Sequence, residues 1–156
     1  MNTHPGFDKI IKFRRFLLND IAGLSARQLN EIPAGLPNNI IWNLGHILAA
    51  SQAVCYGRAG QPVKIDGQYF LPFLTNTKPQ GFIGEKAAAM IGGLLISTMH
   101  TLQSDYGHGH FDRYTASENI RGIYGIELRT IDDAIDFLLY HDGYHAAKIN
   151  TIKKLV

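Results

Sequence analysis

An apolar stripe in the last quarter of the chain carries two histidines four residues apart, in the segment FLLYHDGYHAAKI. Its members follow one another in alternating steps of three and four: Ile131, Ala134, Leu138, His141, His145, Lys148 and Ile152. That spacing is typical of the inward face of a helix in a bundle. Because residues four apart lie one above the other on a helix, we expect both imidazoles to point to a common spot between helices.

Two buried imidazoles need partners for their ring nitrogens. A metal ion would serve, and so would a carboxylate or a backbone group. Two histidines do not hold a metal stably, so a metal site would need a third ligand. His46 is the candidate, because Trp42, Ala49 and Ala53 share its helix face and form a surface suited to packing. For His46 considered alone, a core or boundary imidazole bonded to backbone or water is the more common arrangement.

Two more polar residues are candidates for substrate binding. Asn43 lies one turn before His46 on the same face and is predicted to orient a ring or a substrate. Tyr144 follows His141 by three residues and is predicted to line a pocket, with simple packing as its alternative. Asp142 is rotated by about 100° from His141 around the helix, so we expect it to face another element or solvent. The sequence identifies no general base.

Four helical segments are separated by glycine and proline. They cover about residues 7–23, 38–56, 85–105 and 130–154. In the first we expect Ile10, Phe13 and Leu17 to face the core, and the third is apolar on most sides, as in an element covered by neighbours. Residues 120–128 carry a weak strand pattern. The chain as a whole is therefore predicted to be an all-α four-helix bundle, with residues 1–156 as one domain.

A connection of about 25 residues separates the second and third helices, which is long for a compact domain. Its Tyr69, Phe70 and Phe73 are predicted to pack on the bundle, and they could also close one end of a ligand pocket.

Composition and charge exclude several classes of protein. A chain that is 46% hydrophobic and 18% charged is not disordered, and a net charge of +2 with scattered basic residues argues against a nucleic-acid partner. The longest weakly polar run is too short to cross a membrane. With no secretory signal and one cysteine, Cys55, we expect a cytoplasmic protein in which that thiol is buried and inert. His108 and His110 lie in a glycine-flanked loop, which seldom holds a metal.

Four motifs occur in order along nearly the whole chain. They are GLSARQLNEIPAG, NNIIWNLGHI, the connection with YFLPF and TKP, and FLLYHDGYHAAKINTIKKL. In these the chain resembles the DinB/YfiT-like family, whose members are regarded as metalloenzymes. The family has one histidine on the second helix and an HxxxH pair on the last, which correspond to His46, His141 and His145. Members often carry glycine and glutamine where this chain has Ala147 and Lys148.

The resemblance implies a four-helix bundle, often a homodimer, in which three histidines hold a divalent metal such as zinc or nickel. It further implies an enzyme that acts on a small molecule, as a hydrolase or a small-thiol transferase. A non-catalytic bundle that binds metal, or that uses its apolar faces to dimerise, is the alternative. A role on DNA has little support, because neither net charge nor a basic patch suggests phosphate binding.

Overall fold

A computed structural model describes residues 3–156, and this part of the chain is helical and contains no strand. The α-helices are α1 (Gly6–Ile21), α2 (Ala26–Asn30), α3 (Ile40–Cys55), α4 (Glu85–Gly107), α5 (Glu118–Tyr124) and α6 (Ile131–Lys153). Short 3₁₀ helices occupy Gly57–Ala59, Gly67–Tyr69 and Leu71–Phe73. The all-α prediction is confirmed.

The four long helices contact one another in a closed ring, in which α3 packs on α6 and α4, and α1 packs on the same two helices. Helix α3 is the central element, because 14 of its 16 residues are buried. Asn39 is the N-cap of α3, because its side chain accepts a hydrogen bond from the Trp42 amide. Thr130 is the N-cap of α6 and forms a capping box with Asp133, in which each side chain accepts a hydrogen bond from the other residue's backbone amide. Local capping therefore sets where both histidine-bearing helices begin.

Helix α1 buries Ile10 and Leu17 as predicted, but Arg14 takes the place of Phe13 in the buried stripe. Arg14 lies with the buried apolar residues Ile10 and Leu17, whereas Phe13 is only half-buried. The Arg14 guanidinium donates to the Asp142 carboxylate on α6, at 2.7 Å from Nε and 3.3 Å from Nη2, and its Nη1 donates to the Leu95 carbonyl. Both charged side chains are fully buried. Of the two surroundings predicted for Asp142, the structure has it facing another element.

Two predictions about local structure are wrong. Residues Glu118–Tyr124 form α5 instead of a strand, because the Ser117 hydroxyl caps the first turn and Gly125, at φ 68°, ends the helix. Helix α4 is covered on one side only, since it contacts α1 and α3, and Met90 on its other side remains 46% exposed. The weak strand alternation at residues 120–128 and the apolar content of α4 are local sequence patterns, and neither reports these capping and packing contacts.

The connection between α3 and α4 packs against the helices as predicted. Phe73 is buried, and Tyr69 and Phe70 pack on the apolar cluster around α3. Within the described residues, none of the helices is both long and apolar enough to cross a membrane.

Candidate metal centre

The contact between α3 and α6 brings His46, His141 and His145 together, as the sequence predicted. Each offers a ring nitrogen, and these nitrogens lie within 4.8 Å of one another. The ring centroids are 5.2 Å apart for His46 and His141, and 4.6 Å apart for each of the other two pairs. All three side chains are buried. We call this group the histidine cluster.

The connection orients His46. Its Nδ1 lies 2.7 Å from the Phe73 carbonyl oxygen, which can only accept, so Nδ1 carries the proton and Nε2 carries the lone pair. The Trp42 ring stacks on the imidazole at 5.0 Å, and its Nε1 donates to the Thr77 hydroxyl. A Cβ atom at Gly45 would overlap the Phe73 ring, so glycine is what allows the connection to approach α3 at this point.

Asn43 orients His145 in the same way. Its amide nitrogen donates to the Asn38 side-chain oxygen at 2.9 Å and to the Asn39 carbonyl at 2.7 Å. The remaining amide oxygen therefore faces His145 Nδ1, 2.8 Å away, and accepts its proton. His145 thus also has its lone pair on Nε2. The role of Asn43 in orienting a ring is one of the two that its position predicted, and its role in binding substrate stays a prediction.

His141 lacks such a partner. Its Nδ1 is buried and, among the described residues, has no hydrogen-bond partner. The nearest carboxylate oxygen, Asp142 Oδ1, is 4.0 Å away and already accepts from Arg14. Buried ring nitrogens are normally satisfied, so this nitrogen marks the cluster as incomplete in the protein alone.

Burial keeps all three histidines neutral. Loss of solvation is the largest cause in each case, and it lowers the pKa of His141 to about 3, the pKa of His145 to about 2, and the pKa of His46 below its ordinary value. Repulsion from the neighbouring histidines and from the Lys148 ammonium adds to the effect on His141 and His145. Neutral imidazoles are the form that binds metal ions.

A cavity of about 150 Å³ adjoins His46 and His141. Helices α3, α5 and α6 supply most of its walls, including Tyr124 of α5. Arg58 comes from the 3₁₀ helix that follows α3, and the connection contributes Leu74 and Thr75. Tyr144 lies outside this cavity, with its ring edge-on to His145 and the Lys148 ammonium 4.6 Å from its centroid. The predicted contact of Tyr144 with substrate stays a prediction.

The buried position predicted for Cys55 is confirmed, and His108 and His110 lie outside the histidine cluster. Cys55 is fully buried, and burial raises the pKa of its thiol to about 12, so the thiol is inert. His108 and His110 are exposed, and His108 Nδ1 bonds to the Ser104 carbonyl of its own helix. In the part of the chain that the structure describes, the histidine cluster is the group of three or more His, Cys, Asp or Glu side chains arranged to hold a metal.

Sequence reasoning missed three contributors to this region, namely Arg14, Arg58 and α5. A signal existed for Arg14, because it follows Ile10 by four residues and precedes Leu17 by three. A signal also existed for α5, whose Ser117 and Gly125 are typical helix-boundary residues. Arg58 follows the end of α3 and has no local pattern that would assign it to a cavity.

The family model described as the DinB superfamily matches residues 12–149, a span that contains all three histidines. No curated protein matches the chain.

Proposed function

We propose that this chain, which belongs to the DinB superfamily, is a divalent-metal-dependent enzyme that acts on a small molecule. The observation that carries the proposal is the histidine cluster itself: three buried, neutral imidazoles that converge beside a cavity. We also infer that α1, α3, α4 and α6 form a four-helix bundle and a single domain, with a long connection between α3 and α4.

The residues of the cluster fit a metal ion. Two of the rings donate their Nδ1 protons, His46 to the Phe73 carbonyl and His145 to the Asn43 side chain. Nε2 of each of these histidines is therefore free to bind a metal ion. The buried Nδ1 of His141 has no protein partner among the described residues. Three neutral nitrogen donors suit zinc or nickel, and catalytic zinc sites typically have three protein ligands. We therefore assign His46, His141 and His145 as the ligands of zinc or nickel.

A metal bound there would lower the pKa of water or of a thiol and so supply a nucleophile near neutral pH. This chemistry suits a hydrolase or a small-thiol transferase. The chain's own contribution is to hold the imidazoles neutral and oriented, and to shield the reacting atoms from bulk water behind α5 and the connection. Asn43 and Tyr144 flank His145 and are our candidates for contacts to substrate.

A homodimer without catalytic activity is the second candidate. Large apolar side chains remain exposed on two of the long helices, with Phe16 on α1 at 66% and Met90 on α4 at 46%. Such side chains favour association with another copy of the chain, which would be symmetric. In that case the histidine cluster would bind metal without turning over a substrate.

Elemental analysis of protein purified without an affinity tag or chelator tests the proposal. We expect about one equivalent of zinc or nickel in the wild type, much less in the His141→Ala variant, and an unchanged amount in His100→Ala, which removes an exposed histidine of α4. Metal retained in His141→Ala would refute the ligand assignment. A protein that neither contains metal nor binds added zinc or nickel would refute the enzyme proposal.

A substitution in the cavity distinguishes the enzyme proposal from the proposal of a non-catalytic bundle. Ala53 lines it on α3 and is not a metal ligand, so Ala53→Phe should fill the cavity and leave the metal content unchanged. We expect metal-loaded wild type to turn over a substrate in hydrolytic or thiol-transfer screens, and Ala53→Phe to lose that activity. Equal activity of the two proteins would show that the cavity is not the reaction site.

A further inference from the structure

Arg58 contributes a positive charge to the cavity beside the histidine cluster. Its Nε donates to the Thr115 carbonyl at 2.6 Å, and its Nη2 donates to the Ala116 carbonyl. Both acceptors are backbone oxygens, which hold the guanidinium in place without neutralising its charge. A guanidinium has five N–H donors, so three remain available.

No carboxylate within residues 3–156 forms an ion pair with Arg58. This distinguishes it from Arg14, Arg121 and Arg129, each of which lies within 3 Å of a carboxylate oxygen. The charge of Arg58 is therefore fixed in position and open to an anionic partner from outside the chain.

The rest of the cavity suits a small organic anion. Among the described residues that line it, Arg58 is the only one with a permanent charge, and none is acidic. Thr75, Ser117 and Asn119 add polar groups, while Tyr124 and Phe137 contribute aromatic walls. An anion would thus meet one strong donor, a few weak ones and an apolar surface, and no carboxylate would repel it.

The size of the cavity limits the ligand. About 150 Å³ is the volume of an engineered protein cavity that accommodates benzene, so the enclosed part of the ligand has roughly six non-hydrogen atoms. We infer that the cavity binds a short carboxylate, with the carboxylate on Arg58 and the reactive group towards His46 and His141. This assignment rests on the proposed function for its reactive end, whereas the Arg58 contact is independent of the metal.

A matched pair of probes tests the inference. 3-Mercaptopropionate and 3-mercaptopropionamide have the same shape and thiol, and they differ in the carboxylate charge. We expect the wild type to bind the carboxylate at least about tenfold more tightly than the amide, because a hydrogen bond to a charged group contributes more than one to a neutral group. Calorimetry measures this preference in metal-free protein, and sulfur-to-nickel absorption measures it in nickel-loaded protein.

The Arg58→Gln variant should bind the two probes equally. Arg121→Gln, which removes an exposed arginine of α5 outside the cavity lining, should keep the wild-type preference. Equal affinities in the wild type, or a preference that survives Arg58→Gln, would overturn the inference. If Arg58→Gln does not fold, the guanidinium N–H signals of the wild type decide by NMR: they should shift with the carboxylate and not with the amide.

The two proposals can fail separately. A protein that binds no nickel but still prefers the carboxylate through Arg58 would keep this inference and refute the proposed metalloenzyme. A protein that binds nickel and the thiol, and that shows no preference between carboxylate and amide, would keep the metal centre and refute the role of Arg58.

Discussion

Two adjacent residues of α6, His141 and Asp142, belong to two different buried polar clusters, which differ in charge and in whether their polar atoms are paired. Asp142 pairs with Arg14 on α1, and both side chains are fully buried with their charges matched. The histidine cluster, on the α3 side of the same helix, is also buried, but it is uncharged and leaves the Nδ1 of His141 without a partner among the described residues. Within the described residues, the first cluster pairs its charges, and the second leaves one ring nitrogen without a partner.

This difference separates stability from function. The ion pair satisfies its own hydrogen bonds, including one from Arg14 Nη1 to the Leu95 carbonyl at 3.1 Å, and so joins α1, α4 and α6. Neither Arg14 nor Asp142 lines the cavity beside the histidine cluster. The histidines bring one ring nitrogen each within 4.8 Å of one another beside a cavity, an arrangement that suits metal binding.

Breaking the ion pair should have the largest effect on folding. Arg14→Met leaves the Asp142 carboxylate buried and unpaired, and we expect the free energy of unfolding to fall by about 3–5 kcal/mol. The double variant Arg14→Met with Asp142→Leu should recover most of this loss, because it removes both charges. Urea denaturation of the metal-free proteins measures both values.

Arg15→Met is the matched control, since it removes the exposed neighbouring arginine and should change stability little. A cost for Arg14→Met no larger than that of the control would mean that the ion pair does not stabilise the fold. Any folded fraction of Arg14→Met should still bind metal with wild-type stoichiometry, because none of the histidine ligands is removed.

Removing the orienting side chain of the histidine cluster should have an intermediate effect. Asn43→Ala takes away the acceptor 2.8 Å from His145 Nδ1, so the ring loses its fixed orientation and proton position. We expect zinc affinity to fall about 10- to 100-fold, as measured by competition with a chromogenic chelator.

Ser51→Ala controls for the loss of a buried polar side chain on α3, since the Ser51 hydroxyl bonds, among the described residues, to the Leu48 carbonyl. It should leave zinc affinity unchanged. If both variants lose affinity equally, Asn43 supports the helix and not specifically the histidine.

Acid should destabilise the metal-free protein through the histidine cluster. Burial lowers the pKa of His141 to about 3 and the pKa of His145 to about 2, both below the ordinary value in the unfolded chain. The unfolded state therefore takes up protons first as the pH falls through about 6.5, and the free energy of unfolding decreases. Between pH 7 and 5.5 we expect a loss of about 1 kcal/mol for each histidine that stays neutral.

His141→Leu should remove about 1 kcal/mol of this pH dependence, whereas His100→Leu, at an exposed position, should leave it unchanged. Denaturation curves recorded at several pH values for the metal-free proteins give the comparison. Parallel pH profiles for wild type and His141→Leu would show that His141 is not held neutral by the fold.

The histidine pair on α6 could be predicted because both residues lie on a helix face that its neighbours identify. The HxxxH spacing and the seam around it identify His141 and His145. His46 was assigned from the resemblance to the DinB/YfiT-like family, because its packing face alone also suits a core imidazole. The hydrogen bond from His46 to the Phe73 carbonyl could not be predicted, because it joins a side chain to a backbone oxygen 27 residues away. The pairing of Arg14 with Asp142 was missed for a related reason, since an arginine within an apolar stripe was not counted as part of the core.

The sequence by itself determined the long helices and the HxxxH pair on one face of the last of them, because periodicity depends on residues within a few positions of one another. His46 was added to that pair through the resemblance to the DinB/YfiT-like family. Only the tertiary structure decided that Arg14 would neutralise Asp142, and that Arg58 and α5 would enclose a cavity beside the histidines. These outcomes depend on which side chains meet across helices far apart in the chain, where burial makes a charge either costly or, once paired, stable.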